Sequence, residues 1–310
     1  MSRSLTDMLS KGSLGTSLAM GISQLLPNQI GYFVANLIST VLSRRMNSPL
    51  VKAVMGNQWV IHEGNISRKD LLYKVRMVYH YQSRSLFETY RYMDRPDRIG
   101  DLVTFSPKLD EVLKTQLSSS RGLLLLLPHL CGFDLGGFAL ARRFKFLTLS
   151  YPNPPSGYQR QNEIRRKHGM DVLPLSFSAL RTARELLEQG GTVLTGLDRP
   201  NPESGYSPRF FGRAAALPVA HIRLALKTNA AVRAIAMLEG PNKSYVIEVS
   251  DKIPMEPRAD AHQEIIENAE RVLKEAEKFI LINPDRWVMF YPVWPEVEKQ
   301  IPYFNQGALQ

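Results

Sequence analysis

The sequence predicts an α/β fold in which helices cover both faces of a mixed, mostly parallel central sheet. Short apolar runs with strand character alternate with longer helix-like segments from residue 123 to residue 282. Such alternation is typical of crossover connections in a largely parallel sheet. The run at residues 123–127 is leucine at every position, as in strands that are buried on both faces. The last helix-like segment repeats apolar residues every three or four positions, so one of its faces can pack on the sheet.

The N-terminal region contains a long uncharged segment. No Asp, Glu, Lys or Arg occurs from Gly12 to Ser43, and Pro27 divides this segment into two pieces. Each piece is shorter than the ~20 residues that a membrane-spanning helix needs. No small-residue cleavage site of a secretory signal follows a compact apolar core. We expect two helices that contact a membrane surface, and a true crossing by residues 12–43 is the alternative.

Periodicity and helix-boundary signals predict the remaining elements. Residues 45–60 contain Pro49 and Gly56 and are predicted to be irregular. Ser67 and Asp260 stand at capping positions, each three residues before a second polar side chain. Helices are predicted over residues 71–93, 109–119, 133–143, 159–168, 179–189, 219–228 and 260–282. Strands are predicted over residues 123–127, 146–150, 172–173, 192–197, 232–238 and 245–249.

No repeat or linker divides the chain after its N-terminal part. We therefore assign residues 1–56 to an N-terminal helical segment in contact with a membrane. Residues 57–300 are assigned to a single α/β domain, and residues 301–310 to a C-terminal tail.

The charge balance predicts an anionic partner. The chain has 39 Lys and Arg against 29 Asp and Glu, a net charge of +10. The basic residues are dispersed, and no aromatic stacking motif interleaves them, so nucleic acid is not expected. An anionic membrane surface or an acidic carrier protein fits better. The single cysteine, Cys131, excludes an internal disulfide and every CxxC metal or redox motif.

The first candidate for chemistry follows the leucine strand. Pro128 ends the strand, His129 comes next, and Asp134 follows five residues later with Gly132 between them. With His129 on the turn and Asp134 in the first turn of the next helix, the carboxylate could accept a hydrogen bond from one ring nitrogen. The other nitrogen would then be a free base. This pattern is short, and taken by itself it more often marks a strand-end histidine beside a helix-capping aspartate.

Two downstream segments favour the chemical interpretation. Asp198 and Arg199 follow a predicted strand and should reach the carboxyl edge of the sheet, where α/β proteins bind ligands. Arg209 and Arg213 flank a Phe-Phe-Gly turn that includes Phe211 and Gly212. Guanidinium groups clustered near a base suit phosphate binding, although a solvated loop is the simpler explanation.

Together these residues resemble the glycerolipid and lysophospholipid acyltransferase superfamily. Within it they resemble the lipid A biosynthesis acyltransferases of the lauroyl/myristoyl type, a group that includes acyltransferases of mycobacterial phosphatidylinositol mannosides. The resemblance covers residues 57–294 and rests on features that keep one order along the chain. They are His129 and Asp134 after the strand, the Gly-x-Asp198 strand end, the turn at 210–212 with Pro218, the helix-to-strand step at 228–232, and the aromatic segment 287–294.

The resemblance implies acyl transfer without a covalent acyl-enzyme. His129 would take the proton of an acceptor hydroxyl, and Asp134 would hold and stabilise the imidazole. The acyl group would come from a thioester of coenzyme A or acyl carrier protein as co-substrate, with no metal and no other cofactor. Arg199 or backbone N–H groups would stabilise the oxyanion. Arg165 and Arg166 would bind a phosphate of donor or acceptor.

The resemblance also implies lipid partners and a place in the cell. The acceptor would be a lysophospholipid, glycolipid or lipid A-like molecule at the cytoplasmic face of the inner membrane. A tunnel lined by leucines near residues 123–127, by Trp287 and by Phe290 would hold the acyl chain. Two departures leave the acceptor open. Glu239 stands where relatives usually have an arginine, and Arg209 stands where acidic residues often precede the Phe-Phe-Gly turn.

Two other functions fit parts of the pattern. A catalytically inactive relative could bind lipid without turnover, although His129 and Asp134 are both present. Cys131 lies two residues from His129, so a thioester hydrolase with a cysteine nucleophile is conceivable. No G-x-S-x-G, P-loop, G-x-G-x-x-G or H-E-x-x-H motif occurs, which disfavours serine-hydrolase, nucleotide-dependent and zinc-protease chemistry.

Overall fold

The computed structural model describes residues 13–302 and Phe304. The predicted tail at 301–310 lies mostly outside these residues, as do the first twelve positions of the predicted N-terminal segment. The α-helices are α1 Ser13–Leu25, α2 Asn28–Ser43, α3 Pro49–Ile61, α4 Arg68–Tyr92, α5 Pro96–Leu102, α6 Pro107–Gln116, α7 Phe133–Ala141, α8 Ser156–Lys167, α9 Phe177–Glu188, α10 Ala220–Thr228 and α11 Ala261–Ile282. The strands are β1 Val103–Phe105, β2 Leu123–Leu127, β3 Leu147–Ser150, β4 Asp171–Pro174, β5 Thr192–Gly196, β6 Arg209–Phe210, β7 Arg213–Ala214, β8 Ala231–Glu239 and β9 Tyr245–Val249.

A seven-stranded sheet forms the centre, in the order β1-β9-β8-β2-β5-β3-β4. The five strands from β8 to β4 pair in parallel, β9 is antiparallel to β8, and β1 pairs in parallel with β9. The prediction of a mixed, mostly parallel sheet is therefore confirmed. A separate antiparallel pair, β6 and β7, frames the Phe-Phe-Gly turn.

The leucine strand divides the core into two halves. Leu124 and Leu126 belong to one apolar cluster and Leu123 and Leu125 to another, because successive side chains of a strand point to opposite faces. All four are at most 1% exposed. The strand is thus buried on both faces, as its unbroken leucine sequence predicts.

Both predicted caps begin helices. The Ser67 hydroxyl accepts a hydrogen bond from the backbone N–H of Asp70 at the start of α4. The Asp260 carboxylate accepts one from the backbone N–H of Gln263 at the start of α11. These bonds satisfy N–H groups that no helical carbonyl can reach.

The prediction that residues 45–60 are irregular is wrong, because α3 occupies most of this segment. Pro49 is the first residue of α3, where its missing N–H and fixed φ are tolerated. Gly56 lies inside the helix, and tertiary burial outweighs its weak helix propensity. Val51 and Met55 are fully buried. The predicted boundary at residue 56 falls within this helix.

The N-terminal helices α1 and α2 pack on α4. On α2 the buried positions are small and lie four residues apart, including Gly31, Ala35 and Ser39. A side chain at Gly31 would collide with the ring of Phe87, so glycine allows the close approach of the two helices. Within residues 13–302, no helix is both long enough and apolar enough to span a bilayer.

Candidate active site

A cavity of about 520 Å³ opens at the carboxyl edge of the parallel strands. The ends of β2, β3 and β5 contribute to its wall, together with residues of α7, α8 and α10. His129, Asp134, Arg165 and Arg199 all line it. Four residues predicted to bind or transform a substrate therefore face one space.

The register of the sheet places His129 beside Asp198. β2 and β5 are parallel neighbours whose last residues, Leu127 and Gly196, lie opposite each other. His129 and Asp198 each follow their strand end by two residues. A side chain at Gly196 would lie 2.7 Å from Cε1 of His129, so the Gly-x-Asp sequence leaves room for the imidazole.

Asp198 binds His129 through both of its carboxylate oxygens. Nδ1 of the imidazole lies 2.6 Å from Oδ1 of Asp198, and the backbone N–H of His129 donates to Oδ2 over 2.8 Å. An ionised carboxylate only accepts hydrogen bonds, so Nδ1 carries the ring proton. In the neutral ring Nε2 is then the nitrogen with a free lone pair, and it has no hydrogen-bond partner among the residues that the structure describes. This is the tautomer of a general base.

Asp198 is itself fully buried and held by a third donor. The indole Nε1–H of Trp287 donates to its Oδ2 over 2.7 Å. Two backbone bonds fix Trp287 in turn: the N–H of Val288 donates to the carbonyl of His129, and the N–H of Cys131 donates to the carbonyl of Arg286. The aromatic C-terminal segment therefore braces the turn that carries the histidine.

The predicted hydrogen bond between Asp134 and His129 is not the one that forms. Asp134 does stand in the first turn of α7, but its Oδ1 accepts from Nε of Arg165 over 2.7 Å. Arg165 is 5% exposed and also donates to the side chain of Asn162. Burial alone would lower the pKa of Arg165, yet the carboxylate of Asp134 and the hydroxyl of Tyr158 outweigh it and raise that pKa. Arg165 is therefore charged and already paired with an anion, rather than free for a substrate phosphate.

Arg199 is the cation that remains available at the cavity. Its guanidinium stacks between the rings of Tyr151 and Tyr291, 3.8 and 4.0 Å from their centroids, and donates to the hydroxyl of Tyr291. No carboxylate pairs with Arg199 within the part of the chain that the structure describes. A positive charge held in this way can bind an anionic group of a ligand.

Three of the predicted arginines lie away from the cavity wall. Arg166 donates twice to the carbonyl of Val172. Arg209 forms a bidentate pair with Glu270 on the surface. Arg213 donates to the side chain of Gln300.

The Phe-Phe-Gly turn also lies outside the cavity. Phe211 and Gly212 both have positive φ, 48° and 72°, which explains the glycine at the second position. The rings of Phe210 and Phe211 pack against Trp287 and Trp294. The turn thus supports the tryptophan that holds Asp198.

The predicted lining of a tunnel is only partly correct. Leu127 lines the cavity, but Trp287 and Phe290 do not. Trp287 is 1% exposed because its ring completes the aromatic cluster behind Asp198, and Phe290 packs edge-on against Tyr79. An apolar sequence near a site does not show whether a side chain lines the cavity or packs behind the residues that line it.

Sequence reasoning missed a second histidine at the cavity. His221, in the first turn of α10, lines it and is 5% exposed. Burial lowers the pKa of His221 to about 4, so the ring is neutral at pH 7. The only available signal was a lone histidine in an apolar helix, a pattern that is common in ordinary cores.

The buried thiol of Cys131 does not suit a nucleophile. Burial raises the pKa of Cys131 to about 12, so the thiolate is scarce at neutral pH. The side chain is 1% exposed and does not line the cavity. The structure therefore argues against a cysteine-dependent hydrolase.

Comparison with known proteins agrees with the sequence-based resemblance. Residues 82–296, more than half of the chain, match the model of the bacterial lipid A biosynthesis acyltransferase family. The phosphatidylinositol mannoside acyltransferase of Mycolicibacterium smegmatis is 31% identical over 125 residues, which is 39% of this chain and 41% of that protein. The protein of the same name from Mycobacterium tuberculosis is 32% identical over 125 residues, 39% of this chain and 40% of its own length. The matched part thus spans about two fifths of these relatives. On the family match, the chain belongs to the bacterial lipid A biosynthesis acyltransferases.

Proposed function

We propose that this protein transfers a fatty acyl chain from an acyl thioester to a hydroxyl group of a phosphorylated lipid or glycolipid. The family match supports the reaction class. The hydrogen bond between His129 and Asp198, at the wall of a cavity with an apolar end, carries the proposal.

His129 acts as the general base in this mechanism. Its Nε2 takes the proton of the acceptor hydroxyl while the hydroxyl oxygen attacks the thioester carbonyl carbon. Asp198 stabilises the imidazolium that forms. The tetrahedral intermediate then collapses, the carbon–sulfur bond breaks, and the imidazolium returns its proton to the departing thiolate. The products are an ester and a free thiol, and no residue of the protein becomes acylated.

The developing oxyanion needs a positive neighbour. The guanidinium of Arg199 lines the cavity, and Phe133, the first residue of α7, has its ring 5.3 Å from that of His129. Either group can stabilise negative charge on the carbonyl oxygen. Asp134 and Arg165 form a neutral pair in the same wall, and we assign them the task of holding α8 against α7.

The apolar part of the cavity wall suits an acyl chain. Five lining residues are apolar, buried and members of one core cluster: Leu140, Met170, Leu194, Ile235 and Met237. Burying one methylene group in such a space contributes about 0.8 kcal/mol. The polar part of the wall, with Arg199, Tyr151 and Tyr158, suits the phosphate of a donor or acceptor.

The donor and the acceptor are to be identified by assay. Purified protein would be incubated with palmitoyl-coenzyme A or with palmitoyl-acyl carrier protein, and with lysophospholipid, phosphatidylinositol mannoside or lipid A precursor. Thiol release and mass spectrometry of the lipid would report turnover. We expect ester formation with one donor and one acceptor, and a loss of at least about 10²-fold in kcat for His129→Ala. Binding of the lipids without any thiol release by the wild type would instead identify an inactive lipid-binding relative.

We further propose that α2 attaches the protein to the cytoplasmic face of the inner membrane. Phe33, Leu37 and Val41 on its outer face are 69%, 55% and 49% exposed. Arg44 and Arg45 follow the helix and are exposed. An apolar face ending in cations fits the headgroup region of an anionic bilayer.

Vesicle sedimentation tests this attachment. The wild type should sediment with vesicles of phosphatidylcholine and phosphatidylglycerol, and less with phosphatidylcholine alone. Leu37→Glu should reduce the bound fraction several-fold. Leu117→Glu is the matched control, because Leu117 is 78% exposed but lies after α6, far from α2 in the chain. Equal binding of both variants and the wild type would contradict the proposal.

A further inference from the structure

Two adjacent glycines on α7 lie against two methionines in the apolar part of the cavity wall. The terminal Cε of Met237 lies 2.9 Å from the position that a Cβ on Gly136 would occupy. The terminal Cε of Met170 lies at the same distance from a Cβ on Gly137. All four residues line the cavity.

The methionines reach α7 from two sides. Met237 belongs to β8, on one side of β2 in the sheet, whereas Met170 immediately precedes β4 at the far edge on the other side. Met170 is 6% and Met237 is 4% exposed. Their thioether ends therefore fill the space between helix and sheet that the two glycines leave open.

Methionine suits an irregular gap of this kind. Its side chain is unbranched, rotates about three bonds and fills irregular space with little cost. A branched or aromatic residue in this place would form a fixed end, because packed interiors resist displacement. Glycine at positions 136 and 137 leaves each methionine end room to turn without meeting a side chain of α7.

We propose that Met170 and Met237 set the length of acyl chain that the enzyme accepts, by closing the inner end of the cavity against Gly136 and Gly137. The inference rests on the proposed acyl transfer. Shortening either methionine lengthens the space available to the chain, and a side chain on either glycine shortens it.

The test measures kcat/KM with saturated acyl-coenzyme A donors from ten to eighteen carbons. Met170→Ala and Met237→Ala should each move the optimum to a longer chain, and the double variant further. Each extra methylene that becomes accommodated should raise relative kcat/KM roughly fourfold. Gly137→Ala should move the optimum to a shorter chain.

Met55→Ala is the matched control. Met55 is fully buried, but it belongs to the core on the opposite face of the sheet and does not line the cavity. Its truncation should lower stability as much as that of Met170 without moving the optimum. The inference is overturned if Met170→Ala and Met237→Ala keep the optimum of the wild type, or if Met55→Ala shifts it equally.

A binding experiment separates this inference from the proposed function. Free saturated fatty acids of the same lengths would be titrated into each variant, with melting temperature as the readout. If the wild type transfers no acyl group, the proposed function fails. A longer best-binding fatty acid for the two methionine variants would still support the conclusion that Met170 and Met237 limit the chain length. If all variants bind the same fatty-acid length best, the inference is overturned.

Discussion

The site contains two aspartates, Asp134 and Asp198, and a comparison of their hydrogen-bond partners shows how the fold brings its polar side chains together. Asp134 lies five residues after His129 in the sequence, yet it pairs with Arg165. Asp198 lies 69 residues away, yet it holds the imidazole. Adjacent parallel strands bring their carboxyl ends together, whereas the turn into α7 directs Asp134 toward α8. Strand pairing, rather than closeness along the chain, selects the carboxylate partner of His129.

Replacing the carboxylate that holds the imidazole should have the largest effect. Asp198→Asn keeps the size of the side chain but removes the charge that fixes the Nδ1–H tautomer. We expect kcat for acyl transfer to fall by about 10²–10⁴-fold with a small change in KM. Steady-state kinetics with the donor and acceptor identified above would measure this. A loss smaller than that of Asp134→Asn would reverse the roles that we assign.

Breaking the other carboxylate pair should mainly affect stability. Asp134→Asn leaves the buried guanidinium of Arg165 without its anion, at a cost of about 3–5 kcal/mol in the free energy of unfolding. Replacing both partners, as Asp134→Leu with Arg165→Met, should recover most of this. Asp110→Asn is the control, because its pair with Arg143 is exposed and contributes about 0–1 kcal/mol. The measurement is denaturant unfolding. Equal free energies of unfolding for Asp134→Asn and Asp110→Asn would contradict the assignment.

The second histidine of the cavity, His221, should make the free energy of unfolding depend on pH in acid. Burial lowers the pKa of His221 to about 4, so folding favours the neutral ring. The resulting stability is fully present above about pH 6.5 and is lost as the pH falls through 4, by about 3 kcal/mol in total. His221→Leu should flatten this decrease in unfolding free energy, and His262→Leu, on the surface, should not. An unchanged pH profile for His221→Leu would exclude this cause.

The support behind Asp198 should have the smallest effect. Trp287→Phe retains most of the aromatic packing but removes the indole N–H that donates to the carboxylate. We expect kcat to fall roughly tenfold, the scale of one hydrogen bond to a charged group. Trp294→Phe is the matched control, because its indole N–H has no partner among the residues described. Equal kinetics for the two variants would mean that Trp287 acts only through packing.

The sequence predicted the helices and strands of this fold better than it predicted which side chains contact each other. The leucine strand, the alternating helices and the caps at Ser67 and Asp260 follow from local periodicity and local hydrogen bonds. Asp198 and Arg199 were also placed correctly at the sheet edge, since a strand end must reach it. The pairing of His129 with Asp198 depends on strand order, which no local pattern contains. Helix α3 was missed because its burial, rather than its residue preferences, stabilises it.

The most direct test of the central claim is the protonation pattern of the His129 ring. Nitrogen NMR of histidine-labelled protein at neutral pH would report which ring nitrogen carries the proton, in the wild type, Asp198→Asn and Asp134→Asn. We predict Nδ1–H with a free Nε2 in the wild type, a clear change in Asp198→Asn and none in Asp134→Asn. A ring that responds to Asp134→Asn but not to Asp198→Asn would contradict the account.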